Sequence, residues 1–219
     1  MRRMREDNNM NKEISISKGN MKLGSIWNVS LPPGKSCGKN LPCFEKCYAR
    51  KAYRQYPATK AAWDKNYELY KQDPGKYFRL IDEFLAMKKP THFRFHVAGD
   101  IPDMGYYLKL LELVDSHTDT KFLVFTKKFD ILQQAKSSYI RDNLSIVLSA
   151  WPNMPMDKEL QNKYPVAWME DPKNYDTRIP KDKDKVFYCT SNCQTCNKNK
   201  GKTCWELARL KKDVVFKVH

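Results

Sequence analysis

Seven cysteines divide the chain into two thiol-rich ends and a middle without a thiol. Cys37, Cys43 and Cys47 fall within eleven residues. Cys189, Cys193, Cys196 and Cys204 come near the other end, and none lies between Cys47 and Cys189. The opening residues, MRRMREDNNMNK, contain no apolar run, so no signal peptide and a reducing compartment are expected. In such a compartment clustered thiols read as metal ligands before disulfides, and an odd total suits pairing poorly. Buried, inert thiols are the bland alternative.

The first set has the spacing Cys-x5-Cys-x3-Cys, in a loop that runs into a helix. Three thiolates can hold three irons of a [4Fe–4S] cube and leave the fourth iron open for a small ligand. They can also hold a catalytic zinc with water in the fourth place. A structural zinc would need a fourth ligand, and no His lies in this loop. The second set, Cys-x3-Cys-x2-Cys-x7-Cys, can close a tetrahedron around zinc or fill all four corners of a second cube. Its short, irregular spacing differs from the paired knuckles of zinc ribbons and favours iron–sulfur. Lys198, Lys200 and Lys202 would partly offset the negative charge of such a cluster.

A length of 219 residues means one domain, or one with a small appendage. Apolar residues at 41% and aromatics at 12% allow a sizeable core and argue against disorder. No stretch approaches the ~18 apolar residues of a membrane span, so no membrane partner is expected. Forty Lys and Arg against 25 Asp and Glu leave a net charge of +15. That field suits a polyanion such as nucleic acid or a nucleotide substrate, and equally suits a soluble, Lys-rich surface.

Residues 1–20 are polar and charged and read as a tail or a partly ordered arm. Residues 22–30 suggest a short strand, and LPPGKSCGKNLPC a loop. The pattern is helical over 47–56 and 59–72, with Trp63, Tyr67 and Tyr70 at i, i+4 and i+7 and Pro57 between the pieces. Asp73-Pro74 forms an N-cap and N1 pair for a helix carrying Phe78, Ile81 and Leu85 and stopped by Pro90. Residues 91–97 alternate, with Phe93, Phe95 and Val97 on one face and His92, Arg94 and His96 on the other. A helix follows over 104–114, a strand over 121–126, a helix over 128–137 and a strand over 145–150. Weaker strands are expected over 165–169, 186–189 and 214–218, and a short helix over 205–211.

Strands alternating with helices predict βαβ units and a parallel sheet of six or seven strands. The fold class is α/β, an open or partial (β/α) barrel with a C-terminal four-cysteine segment. The expected organisation is a tail over 1–20, the barrel with its cysteine loop over 21–185, and the four-cysteine segment with a closing strand over 186–219. Functional groups of such a fold gather at the C-terminal ends of its strands. His96 and Asp100 follow one strand, Lys127 and Lys128 another, and Ser149 and Trp151 a third.

Each of these groups has an ordinary reading beside the functional one. His96 is a ligand-lining group or a hydrogen-bonded structural histidine. Arg94, if its face is inward, needs a partner or an anionic ligand. Lys127 and Lys128 could bind phosphate or carboxylate, or stand solvated. Ser149 and Trp151 could meet an adenosine by hydrogen bond and stacking, or pack. Tyr48, Tyr53, Tyr56, Trp63 and Tyr67 alternate with basic residues, as a stacking surface or as a helix pair packed on the barrel.

The segment LPPGKSCGKNLPCFEKCYARKAYR resembles the opening of a phage protein family, gene product eighty-eight, whose members show a similar SLPPG…C…C…CYA signature. FRFHVAGDI, FLVFTKK and LSAWPN stand where that family leads one to expect them. More distantly, Cys-Tyr-Ala, then a strand ending near Gly-Asp, then one ending in Thr-Lys, resembles radical-SAM-like phage proteins and spore photoproduct lyase. The likeness runs from residue 22 to about 204. It implies a partial barrel with a [4Fe–4S] cluster on Cys37, Cys43 and Cys47 at its mouth. S-adenosylmethionine (SAM) would bind the open iron and, once a reductant supplies an electron, give a 5′-deoxyadenosyl radical. The usual x3–x2 spacing is x5–x3 here, and Ala98-Gly99-Asp100 replaces the Gly-Gly-Glu-type segment that grips the SAM amino group. Asp100 could accept from that group. The second set reads as an auxiliary [4Fe–4S] or zinc site.

The leading expectation is therefore a radical-SAM-like iron–sulfur enzyme, in the host cytoplasm if phage-encoded. The alternatives are a non-catalytic nucleic-acid-binding protein whose metals only hold the fold, and a zinc hydrolase or deaminase. The last would have only Glu45 as its base.

Overall fold

A computed structural model describes residues 12–19, 23–135, 141–190, 192–193, 196 and 203–217. Residues 1–11 of the expected tail, the end of the helix expected over 128–137, and Lys198, Lys200 and Lys202 lie outside the described residues. The strands are β1 (Ile16–Lys18), β2 (Trp27–Val29), β3 (His92–Phe95), β4 (Lys121–Thr126), β5 (Leu144–Ser149), β6 (Val166–Glu170), β7 (Val186–Tyr188) and β8 (Asp213–Lys217). Between them run α1 (Tyr48–Gln55), α2 (Pro57–Gln72), α3 (Pro74–Lys88), α4 (Met104–Ser116), α5 (Phe129–Gln134), α6 (Lys158–Lys163), a 3₁₀ turn (Cys204–Glu206) and α7 (Leu207–Leu210).

The eight strands form one sheet in the order β1-β2-β3-β4-β5-β6-β8-β7, parallel throughout except for the β1–β2 pair. The fold is thus mixed α/β with a mostly parallel sheet. From β2 to β6 each strand lies beside its successor without reversal. Right-handed crossovers in one direction put their helices on one face of the sheet. That face carries the larger core: Tyr77, Ile81 and Leu85 of α3 and Tyr106, Leu110 and Val114 of α4 pack on Phe93, Phe95, Phe122, Val124, Ile146 and Leu148.

A parallel sheet must be covered on both faces. The other face, carrying Leu123, Val147, Ala167 and Val214, is closed by Trp205 and Leu207 from the C-terminal segment and by Leu23 and Ile26. Trp205 Nε1 donates to the Phe93 carbonyl at 3.3 Å, fixing that segment to β3. Asp73 caps α3 by accepting from the Lys76 amide at 2.8 Å, with Pro74 at N1 as expected.

Two features differ from the sequence reading. Residues read as tail include β1, which pairs with β2 and buries Ile14 and Ile16. The alternation over 91–97 also breaks. β3 ends at Phe95, and His96 takes a left-handed φ of +60°. His96 therefore joins the helix side, 5.3 Å from the Tyr106 ring, while Val97 packs on the opposite face with Phe125. Among the described residues no helix is long and apolar enough to cross a membrane.

Candidate metal centre

The cysteine loop is held in place before any metal is considered. The Leu31 amide donates to the Ala98 carbonyl at 3.0 Å. Ser30 Oγ accepts from the Val97 and Ala98 amides at 3.2 and 3.4 Å. Ser36 Oγ donates to the Pro32 carbonyl at 3.0 Å and accepts from the Asp100 amide at 3.2 Å. Gly99 makes this approach possible. Its φ is +81°, and a Cβ there would stand 2.5 Å from Ser36 Oγ and 2.6 Å from the Leu31 carbonyl oxygen.

On the helix side, Lys35 meets the Asp64 carboxylate at 2.8 Å, and Tyr53 and Lys60 bind the same group. Arg50 donates to the Phe44 carbonyl at 2.7 Å with its guanidinium 3.6 Å from the Phe44 ring.

The loop so held presents three half-buried thiols, with Cys37 Sγ accepting from the Gly34 amide at 3.1 Å. Burial pushes the Cys37 and Cys43 thiols up, and Cys47 pushes both further; Asp100 adds to this at Cys37, while Lys127 opposes it at Cys43. In the second set, Cys189 continues the β7 ladder by donating its amide to the Val215 carbonyl at 2.9 Å. Burial, then Cys193 and Cys189, push Cys196 up to about 11. Burial also drives Cys204 far up, with Cys189, Cys193 and Cys196 adding and Arg94 opposing.

Tyr48, directly after Cys47, is 66% exposed, and its hydroxyl donates to the Val97 carbonyl. It lies within electrostatic reach of Cys43, Cys47, Cys193 and Arg94. Sequence reasoning treated Tyr48 as one of several helix aromatics. Its bond to the Val97 carbonyl had no signal in the sequence.

No disulfide joins any of the seven cysteines. Among the described residues, no three thiol, imidazole or carboxylate groups converge closely enough to grip a metal ion as they stand. The donor chemistry nonetheless fits a thiophilic metal or an iron–sulfur cluster, since both sets are soft, all-sulfur donors. Packed thiols that raise one another's pKa are also relieved by a cation.

The other predicted residues separate. Asp100 is buried and gives one carboxylate oxygen to the Ile101 amide and the other to the Lys127 amide, both at 2.8 Å. It serves as a brace between strand ends. His96 is turned away from Arg94, and both ring nitrogens are buried without partners. Burial, then Arg94, lowers its pKa to about 3 and keeps the ring neutral. Lys127 and Ser149 do come together, Nζ to Oγ at 2.7 Å. Trp151 is half-buried, its carbonyl bound by Arg178 at 2.9 Å. Glu45 is 85% exposed beside Arg50, poorly placed as a base. Tyr53 stacks on Trp63 at 6.2 Å, so part of the aromatic series packs α1 on α2.

Fold and site together define an α/β protein with a mostly parallel sheet and two thiol sets. The chain belongs to the family described as Gene product 88, which matches residues 3–212. No curated protein and no solved structure matches it.

Proposed function

We propose that the protein is an iron–sulfur protein of radical-SAM-like type, its sheet a partial (β/α) barrel. Cys37, Cys43 and Cys47 hold a [4Fe–4S] cluster with one iron left for SAM. Cys189, Cys193, Cys196 and Cys204 hold a second cluster, with zinc the other occupant their chemistry allows. The observation that carries this reading is the division of the seven thiols into three on one braced loop and four at the other end, of which Cys189, Cys193 and Cys204 pack on one apolar cluster with Trp205. Three thiols from one braced loop leave one cluster position without a cysteine, while the other four are self-sufficient.

Bound in the loop, such a cluster would supply an open Lewis-acidic iron and would pass one electron from an external reductant to SAM. The chain's own groups do the holding. Lys127, at the end of β4 and within electrostatic reach of Cys43, is the cation for a carboxylate. Ser149 is the hydroxyl beside it, and Trp151 is the ring for an adenine. Asp100 and His96, being spent or buried, support the site from behind. The +15 charge favours a nucleic acid or nucleotide substrate.

Anaerobic purification tests the reading. It predicts a brown protein containing iron and acid-labile sulfide that fall when Cys43 or Cys193 is replaced. A colourless protein with stoichiometric zinc would overturn it.

A further inference from the structure

Lys121 and Arg94 both stand on the sheet face that the C-terminal segment closes; Lys121 pairs with Glu206, while Arg94 meets no carboxylate among the described residues. In register it lies between Asn28 of β2 and Leu123 of β4. Its guanidinium stacks 4.9 Å from the centre of the Phe125 ring. Its Nε is buried with no hydrogen-bond partner, and no ion pair forms between it and any described residue. A half-buried guanidinium left this way is costly unless an anion compensates it.

The four-cysteine end of the chain lies alongside. Trp205, next to Cys204, donates to the carbonyl of Phe93, next to Arg94. Phe125, on which Arg94 stacks, shares an apolar cluster with Cys189, Cys193 and Cys204. The titratable groups within electrostatic reach of Arg94 include Cys204, Tyr48 and, from the opposite side of the sheet, the neutral His96.

We propose that Arg94 is the countercharge of the four-cysteine centre, set against its Cys204 side so as to raise the reduction potential of an iron–sulfur cluster held there. The inference rests on the iron–sulfur reading above and goes beyond it. It makes the second centre a redox partner whose potential the chain adjusts. A cluster on four thiolates carries net negative charge that grows on reduction, so a fixed cation nearby favours the reduced form. Arginine suits the place because its planar, weakly hydrated head stacks on Phe125 and keeps donors for sulfur. Arg94 is a positioning residue here; it touches no substrate.

The test is a redox titration followed by electron paramagnetic resonance on the anaerobically reconstituted full chain, comparing wild type, Arg94→Gln and Arg94→Lys, with Cys204→Ala to identify the second cluster's signal. Iron and sulfide content and far-UV circular dichroism are measured first. Arg94→Gln should lower the reduced-to-oxidised ratio of that cluster about tenfold at fixed ambient potential, or 59 mV for a one-electron couple. Arg94→Lys should restore most of it, and the three-cysteine cluster should be unmoved. Unchanged potentials in a fully loaded Arg94→Gln protein, or a shift confined to the three-cysteine cluster, would overturn the inference and leave the iron–sulfur reading standing. If Arg94→Gln does not fold, a second-cluster potential in Arg94→Lys below that of Arg94→Met overturns it equally. Wild type that binds no iron at the four cysteines defeats the iron–sulfur reading itself, and this inference with it.

Discussion

One carboxylate oxygen of Asp100 accepts a hydrogen bond from the Lys127 amide at 2.8 Å, tying the turn after β3 to the end of β4. The other oxygen holds the Ile101 amide, and the Asp100 amide reaches Ser36 in the cysteine loop. One residue thus fixes two strand ends and the loop that presents Cys37. Asp100→Ala leaves two amides without their acceptor and should cost about 1–3 kcal/mol in urea denaturation. Asp100→Asn keeps an acceptor oxygen and should cost less. Equal midpoints for all three proteins would show that the brace carries no stability.

The Lys35–Asp64 contact gives a pH dependence. Partial burial works to raise the Asp64 carboxyl, but hydrogen bonds from Lys35, Lys60 and Tyr53 outweigh it and hold the group at about 2, below its ordinary 3.8. A carboxyl lowered by folding stabilises the native state above its unfolded pKa and loses that stabilisation as pH falls through its folded value. The partners are largely exposed, so Asp64→Asn should cost only about 1 kcal/mol at pH 6. The gap between wild type and Asp64→Asn should close as pH falls from about 4 to about 2. A gap that persists at pH 2 would assign the loss to packing.

Gly99 is the tightest point of the site. Any side chain meets Ser36 and the Leu31 carbonyl, and φ is left-handed. Gly99→Ala should destabilise by at least about 1–3 kcal/mol. It should also speed maleimide labelling of Cys37, because the loop must back away from β3. Unchanged labelling would separate loop position from this contact.

Most of the sheet was legible because its strands are short apolar runs between clear helix periods. Lys121–Thr126 and the Asp73-Pro74 start of α3 are as expected. β1 was lost inside a charged N-terminus, although Ile14 and Ile16 alternate with Ser15 and Ser17. His96 was misplaced because a pattern of period two cannot register a single left-handed residue. The thiol sets were legible as spacing. The docking of the four-cysteine end on β3 through Trp205 was not, since it is a long-range contact with no local signature.

Metal binding energy is folding energy, so if both thiol sets hold metal, its removal from either should lower stability by several kcal/mol. The four-cysteine centre should matter more, because residues 189–204 contain little apolar material to hold them. Thermal melts should place Cys193→Ala below Cys43→Ala, with both below wild type. Coincident melting of the three would show that the thiols hold nothing the fold needs.

The charge of +15 makes a separate prediction. If it serves nucleic acid, affinity for a random oligonucleotide should fall on the order of 10³-fold between 50 and 200 mM salt. A flat response, or no binding at low salt, would remove nucleic acid as the substrate.

The open iron at Cys37, Cys43 and Cys47 is the central claim, and electron paramagnetic resonance reads it directly. The anaerobically reconstituted protein, reduced with dithionite, is titrated with SAM. The account predicts that SAM changes the cluster signal, that Cys47→Ala abolishes the response and that Cys204→Ala retains it. A reduced cluster on the three-cysteine loop whose spectrum is indifferent to millimolar SAM would contradict it.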